Sequence, residues 1–182
     1  MKEDKLNNNY FSQITYYLFF FISISLIFYF KNSHYDFTFF SDQDHVHIYE
    51  ALIFNSGKPQ MYYDHPGFIC FFLLGLWLKT IHFLNLISFS DLSYTEYNLD
   101  DLNELIYYSK IFNLLVCFAL IYFLDRLQKL FIKNISLQFM IMIIFILSAA
   151  FFGLIVRIRT EIYSILFYII FLETFFLFIK NT

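Results

Sequence analysis

Asp42 and Asp44, in the run Ser41-Asp42-Gln43-Asp44-His45-Val46-His47, are the first residues whose type and spacing could do chemistry. A carboxylate partly withdrawn from water has a raised pKa and can serve as a general base, or it can stabilise a developing positive charge. The bland alternative is a solvated polar loop. Two acids and two histidines in six residues also invite a divalent metal. Against that, positions i and i+2 do not share a helix face, and no third cluster with firm ligand spacing follows. A divalent metal therefore stays open, with no ligand set assigned. Further along stand Tyr62-Tyr63-Asp64-His65-Pro66-Gly67, a lone Lys110 inside an apolar run, and Arg157-Ile158-Arg159-Thr160-Glu161. Arginine grips an anion through two parallel hydrogen bonds, whereas lysine offers a point charge. Lys110 could equally snorkel its ammonium to a membrane surface.

The elements that must position these groups are apolar. Of 182 residues, 59% are hydrophobic and 15% charged, with 28 Phe and 15 Tyr against 4 Gly and 2 Pro. Soluble domains average roughly 45–50% apolar and about 25% charged. This excludes a disordered chain, a collagen-like chain and a soluble enzyme with a polar shell. The sequence predicts an all-α integral membrane protein. A formal net charge of −3 offers no basic surface for nucleic acid. Cys70 and Cys117 both sit in apolar runs, so no disulfide framework is expected.

Four spans are predicted, over about 12–30, 105–124, 136–156 and 162–179. The first follows Lys2 and Lys5 and lacks a small-residue cleavage site, which reads as an uncleaved signal anchor. The run 68–78 is uninterrupted for only eleven residues before Lys79, His82 and Asn85 break it. Charge decides how to treat it. If 68–87 crossed, the segment 88–104, with five acids and no Lys or Arg, would be cytoplasmic, and Arg126, Lys129 and Lys133 would lie outside. That inverts the positive-inside rule. If it lies along the surface, 31–104 is one outer loop and both chain ends are cytoplasmic. The second reading places a multi-pass protein in the plasma or inner membrane. Arg157 and Arg159 then fall outside, against the bias, either because the rule is statistical or because they meet an anion there.

The outer loop is long for a chain of this size, and long loops tend to carry function. Two interfacial helices are expected in it, over about 45–56 and 66–87. Asp44 would N-cap the first, and Val46, Tyr49 and Ile53 would form its apolar stripe. Gly57-Lys58-Pro59 would stop it, Pro66 would suit the first turn of the second, and Asp64 would sit near that helix's N-terminal dipole. Glu173, in the last turns of span four, reads as a helix–helix contact or a snorkelling acid. His34 and His82, near the interface, are expected to be satisfied by water.

The order of these features resembles the N-terminal part of a GT-C glycosyltransferase, a superfamily that includes protein O-mannosyltransferases and the lipid A aminoarabinose transferases. A first span is followed by an acidic motif just outside it, a surface helix ending in Gly, an aromatic-Asp-His-Pro segment and a second surface helix. A span with a basic residue near its outer end then leads to an Arg-rich turn carrying an acid. Asp42, fifteen residues before Gly57, occupies the place of the family's catalytic aspartate. Gln43 replaces a frequent Glu, and Asp44 follows as the second candidate. Tyr63-Asp64-His65-Pro66 resembles the Phe-Asp-x-His-Pro-Pro stretch of the mannosyltransferases, one residue shorter and with Gly67 for the second Pro. Lys110 stands where the family usually has Arg, and Glu161 where it commonly has Asp.

The resemblance implies transfer of a sugar from a polyprenyl-phosphate donor to a hydroxyl of a lipid, glycan or protein, at the outer or lumenal face of the cell envelope. Asp42, then Asp44, would take the acceptor proton. Tyr63, Asp64, His65, Lys110, Arg157, Arg159 and Glu161 would bind substrate, with the cations neutralising the leaving phosphate. Family members have about twice as many spans or more. The chain is therefore expected to be an incomplete module that needs further spans or a partner subunit, and to be inactive alone. The competing reading is a non-catalytic four-span subunit that binds a partner through its acidic outer loop. A small transporter fits less well, because no repeat or half-helix pair is visible.

Overall fold

A computed structural model describes residues 2–32, 42–61, 67–93 and 98–181, with side chains over 14–31, 44–61, 67–93 and 98–180. The described residues form seven helices and no strand: α1 (Lys2–Asn32), α2 (Asp42–Asn55), α3 (Phe68–Phe83), α4 (Leu99–Phe131), α5 (Ile135–Leu147), α6 (Ala149–Val156) and α7 (Thr160–Asn181). Within α1, α4 and α7 lie three stretches long and apolar enough to cross a membrane, Ile14–Lys31, Leu99–Phe131 and Thr160–Lys180. Counting α5 and α6 together gives a fourth. That is the helix inventory of a multi-pass membrane protein.

Predicted span 136–156 is broken. Ser148 is extended, with φ −66° and ψ 140°, and the helix bends by 61° there. One side chain makes the break: Ser148 Oγ donates to Phe145 O at 2.7 Å, closing α5, and accepts from Phe151 N at 3.2 Å, capping α6. An apolar run hides such a break, because hydropathy is the same on either side of it. Helix α4 is longer than 105–124 at both ends. Asn98 and Asp101 form a reciprocal capping box that starts it early. Asp125 and Gln128, buried on one face, carry it on to Phe131.

Helix α4 is the hub, packing against each of the other six helices. It runs beside α7 in the same direction. Asn113 lies level with the α6–α7 turn at one end, where its Nδ2 donates to Leu154 O at 2.6 Å and Arg157 O at 3.2 Å. At the other end, Arg126 pairs with Glu173 at 2.7 Å. Glu173 is thus a helix–helix contact, one of the two roles expected for it. Beside that pair, buried Asp125 accepts from Tyr17 of α1 and meets Lys129 at 2.6 Å. The polar ties therefore lie in two layers, with an apolar middle built on residues such as Phe20, Ile24, Leu120 and Met142.

The two short helices match the expected pair, with changed edges. Helix α3 spans 16 residues, starts at Phe68 after Gly67, and falls short of the membrane-crossing stretches. Asn85, at φ 57°, ends its last turn, with Leu86 N reaching Ile81 O at 3.0 Å and Asn85 N reaching His82 O at 2.9 Å. Gly57, at φ 65°, ends α2 in the same way, Lys58 N reaching Ile53 O at 3.3 Å and Gly57 N reaching Phe54 O at 3.1 Å. His82 Nδ1 donates to Ile87 O at 3.0 Å, a protein partner where water was expected. His34, Asp64 and Pro66 lie outside the described residues.

Candidate functional site

The first-loop helix begins at Asp42, so Asp44 stands in its first turn and does not cap it. Asp44 instead points into the bundle. It is 1% exposed, and Oδ1 accepts from the Ile158 backbone N at 2.8 Å. Oδ2 lies 3.9 Å from Lys110 Nζ, and Lys110 is itself only 4% exposed. Lys110 is therefore turned into the protein and does not snorkel to water. Both were candidates from sequence, 66 positions apart. The structure brings them together and ties both to the Arg-rich turn.

The stripe expected on α2 is corrected too. Of the expected stripe, Ile53 is buried, Val46 half-buried and Tyr49 exposed, while Asp44, His47, Ile48, Ala51 and Leu52 are buried. These recur at i, i+3, i+4, i+7 and i+8, which is the true inward face. The helix rotated because its polar residues are the buried ones: Asp44 finds Ile158 and Lys110, and the His47 ring lies 5.7 Å from that of Phe71. Helix α3 fits closely here. A Cβ on Gly75 would come within 2.9 Å of Asn55 Oδ1 and 3.3 Å of Ala51 O. Asn55 Nδ2 uses that proximity, donating to Gly75 O at 2.9 Å and Ser90 O at 2.7 Å.

Three separate stretches of chain thus meet at one end of the bundle. Gly67, the last residue of the aromatic-Asp-His-Pro segment, abuts the first residue of α7. A Cβ there would lie 2.8 Å from Thr160 Cγ2 and 2.7 Å from Phe71 Cζ. Thr160 Oγ1 lies 3.5 Å from Glu161 Oε2. Arg157 and Glu161 are exposed and Arg159 is half-buried, so this turn offers charge outward while its backbone is held inward. Asp42 opens α2 two residues from Asp44. Its side chain, with Tyr63, Asp64 and His65, lies outside the described residues.

Burial pushes the Asp44 carboxyl above the ordinary carboxylate range. It prevails over the opposing pull of Lys110, the Ile158 N–H, Arg157 and His45. With both oxygens engaged, Asp44 serves as a tether. Glu50 is the residue that sequence reasoning missed. It is 0% exposed, its Oε1 accepts from Met61 N at 3.2 Å, and its Oε2 has no partner among the described residues. Its position three residues after His47 and six after Asp44 could have flagged it. Asn113 is a second such residue: a polar side chain inside an apolar run, it holds the Leu154 and Arg157 carbonyls at the end of α6. Among the described residues, no three His, Cys, Asp or Glu side chains gather to hold a metal ion.

Beside the tether, α2 and α4 leave an apolar groove of about 470 Å³, with His45 at one edge and Ile48, Leu52, Leu102 and Leu105 along its walls. Compared with protein-family models, curated proteins and solved structures, the chain matches none.

Proposed function

We propose that this chain is the site-bearing membrane part of a glycosyltransferase that moves a sugar from a polyprenyl-phosphate donor to a hydroxyl acceptor. The observation that carries the reading is the Asp44 tether. Through Ile158 N and Lys110 it draws the first-loop acid motif, the basic residue of α4 and the Arg157–Glu161 turn to one end of the bundle. A partner-binding loop has no need of that convergence; a transferase does, since its base and its phosphate-binding cations must face one substrate.

In this reading the acceptor oxygen forms a bond to the anomeric carbon as the bond from that carbon to the phosphate oxygen breaks. Asp42 takes the acceptor proton, and the polyprenyl phosphate leaves with the electron pair. Asp44 positions the Arg-rich turn. Arg157 and Arg159 face the leaving phosphate, and Lys110 adds charge behind them. Tyr63, Asp64 and His65, on the segment that arrives at Gly67, bind the sugar, and Glu161 stands beside it. The α2–α4 groove takes the first isoprene units. By the distribution of Lys and Arg, this end faces away from the cytoplasm.

The test is transfer of a labelled sugar from a polyprenyl-phosphate donor in membranes that carry the protein with its native companions. Asp42→Asn should remove transfer while the protein still accumulates. Unchanged turnover in that variant refutes the assignment of the base. No transfer by wild type, in membranes where the folded protein is shown to be present, favours the non-catalytic subunit.

A further inference from the structure

At the end of the bundle away from that site, α1 and α5 face each other across open space. A cleft of about 710 Å³ opens between them, lined by Thr15, Tyr16 and Phe19 of α1 and Ser136, Phe139 and Met140 of α5. Its construction is graded. The hydroxyl-bearing Thr15 and Ser136 lie toward the α4–α5 turn, with the Tyr16 ring between them and its hydroxyl buried in the bundle. One helical turn deeper the walls are Phe19, Phe139 and Met140. Phe139 closes the cleft, its ring 5.9 Å from Tyr16, 5.7 Å from Phe19 and 5.5 Å from Phe20. Exposed Lys133 lies in the short α4–α5 connection, two residues before Ile135, which also lines the cleft.

The geometry points to a binding site for one anionic phospholipid, with an acyl chain against Phe139 and Met140 and the phosphate at Lys133 and the hydroxyl rim. An apolar floor, a hydroxyl middle and a lysine beside it follow the order of groups in such a lipid, from tail through ester to phosphate. A neutral tail alone would leave Lys133 without a role. A helix of a second copy is a poor occupant, because it would have to cover Ser136 and Thr15 and the exposed Lys133 beside them. The site stands apart from the proposed catalytic end and does not depend on it.

Native mass spectrometry tests this, on protein released from vesicles of phosphatidylglycerol and phosphatidylcholine in equal amounts. Wild type should retain one phosphatidylglycerol with about five-fold preference, the effect of a single cation near an anionic surface. Lys133→Gln, a solvent-exposed change, should lose the preference. Ser136→Phe, which fills the mouth, should lose the lipid. Equal retention of the two lipids by wild type overturns the headgroup assignment. Retention unchanged in both variants overturns the site. A dimer that dissociates when Ser136→Phe is introduced would show a second copy in the cleft and overturn the lipid.

Discussion

Asp44 joins α2 to α4 and to the α6–α7 turn through two oxygens, and its substitutions separate the hydrogen bond from the charge. Asp44→Ala orphans the Ile158 N–H and leaves Lys110 buried without its counter-charge, which should cost ~3–5 kcal/mol. Asp44→Asn keeps an acceptor for Ile158 and should cost less. Adding Lys110→Met to Asp44→Ala should recover the part of the loss that comes from the uncompensated buried charge and leave the cost of the orphaned Ile158 N–H. Unfolding of the purified protein in detergent ranks the four. The same carboxyl sets a pH dependence. Burial raises its native pKa above 3.8, so the native state holds the proton more tightly than the unfolded chain does. This contribution is complete below 3.8 and declines as pH rises through the raised native value. Wild type should therefore lose stability relative to Asp44→Asn as pH rises across that window; a difference that stays constant with pH contradicts the assignment. At this scale the sequence exposed the reactive residue types but not their pairing. Nothing local to Asp44 marks Ile158 or Lys110 as its partners, and only the rotation of α2 decides it.

Helix boundaries were legible where a backbone device sits in the residues themselves. Gly57 ends α2 because its φ of 65° suits glycine, and a Cβ there would have nothing within 4 Å. Gly57→Ala should therefore cost about 1 kcal/mol, the backbone penalty alone, measurable as a small shift in the unfolding midpoint. A larger loss would mean that the residue is packed and that the open space is wrong. Asn85 is the counterpart at the end of α3, and it was visible as a break in the apolar run. The bend at Ser148 was not, because one hydroxyl inside a uniformly apolar stretch looks like a tolerated polar residue. The face of α2 was misjudged for a related reason. Periodicity among apolar side chains alone does not mark it, because this helix also buries Asp44, His47 and Glu50.

Across the whole molecule, two polar layers at the ends of α4 and α7 enclose an apolar middle, and the two layers carry different work. One holds the candidate site; the other locks α1, α4 and α7 through Asp125, Lys129 and the Arg126–Glu173 pair. The three unbroken long apolar helices were readable from composition and run length, since both follow from bilayer thickness. Convergence of Asp44, Lys110 and the Arg157–Glu161 turn was readable only as a resemblance in their order. Charge asymmetry predicts that 88–104 and the α4–α5 turn lie on opposite sides of the membrane. A single cysteine at Ser93 should react with an impermeant thiol reagent added outside intact cells, and one at Lys133 only after permeabilisation; the reverse pattern would invert the topology. The proposed transfer depends above all on the α6–α7 turn gripping a lipid phosphate. Its most direct test is photolabelling with a polyprenyl-phosphate probe in the membrane, which reads binding whether or not the chain turns over alone. Labelling should map to α2 and the α6–α7 turn, survive Asp42→Asn, and fall at least about ten-fold when Arg157 and Arg159 are both replaced by Ala, given the strength of paired guanidinium–phosphate bonds. Labelling that is indifferent to both arginines would contradict the account.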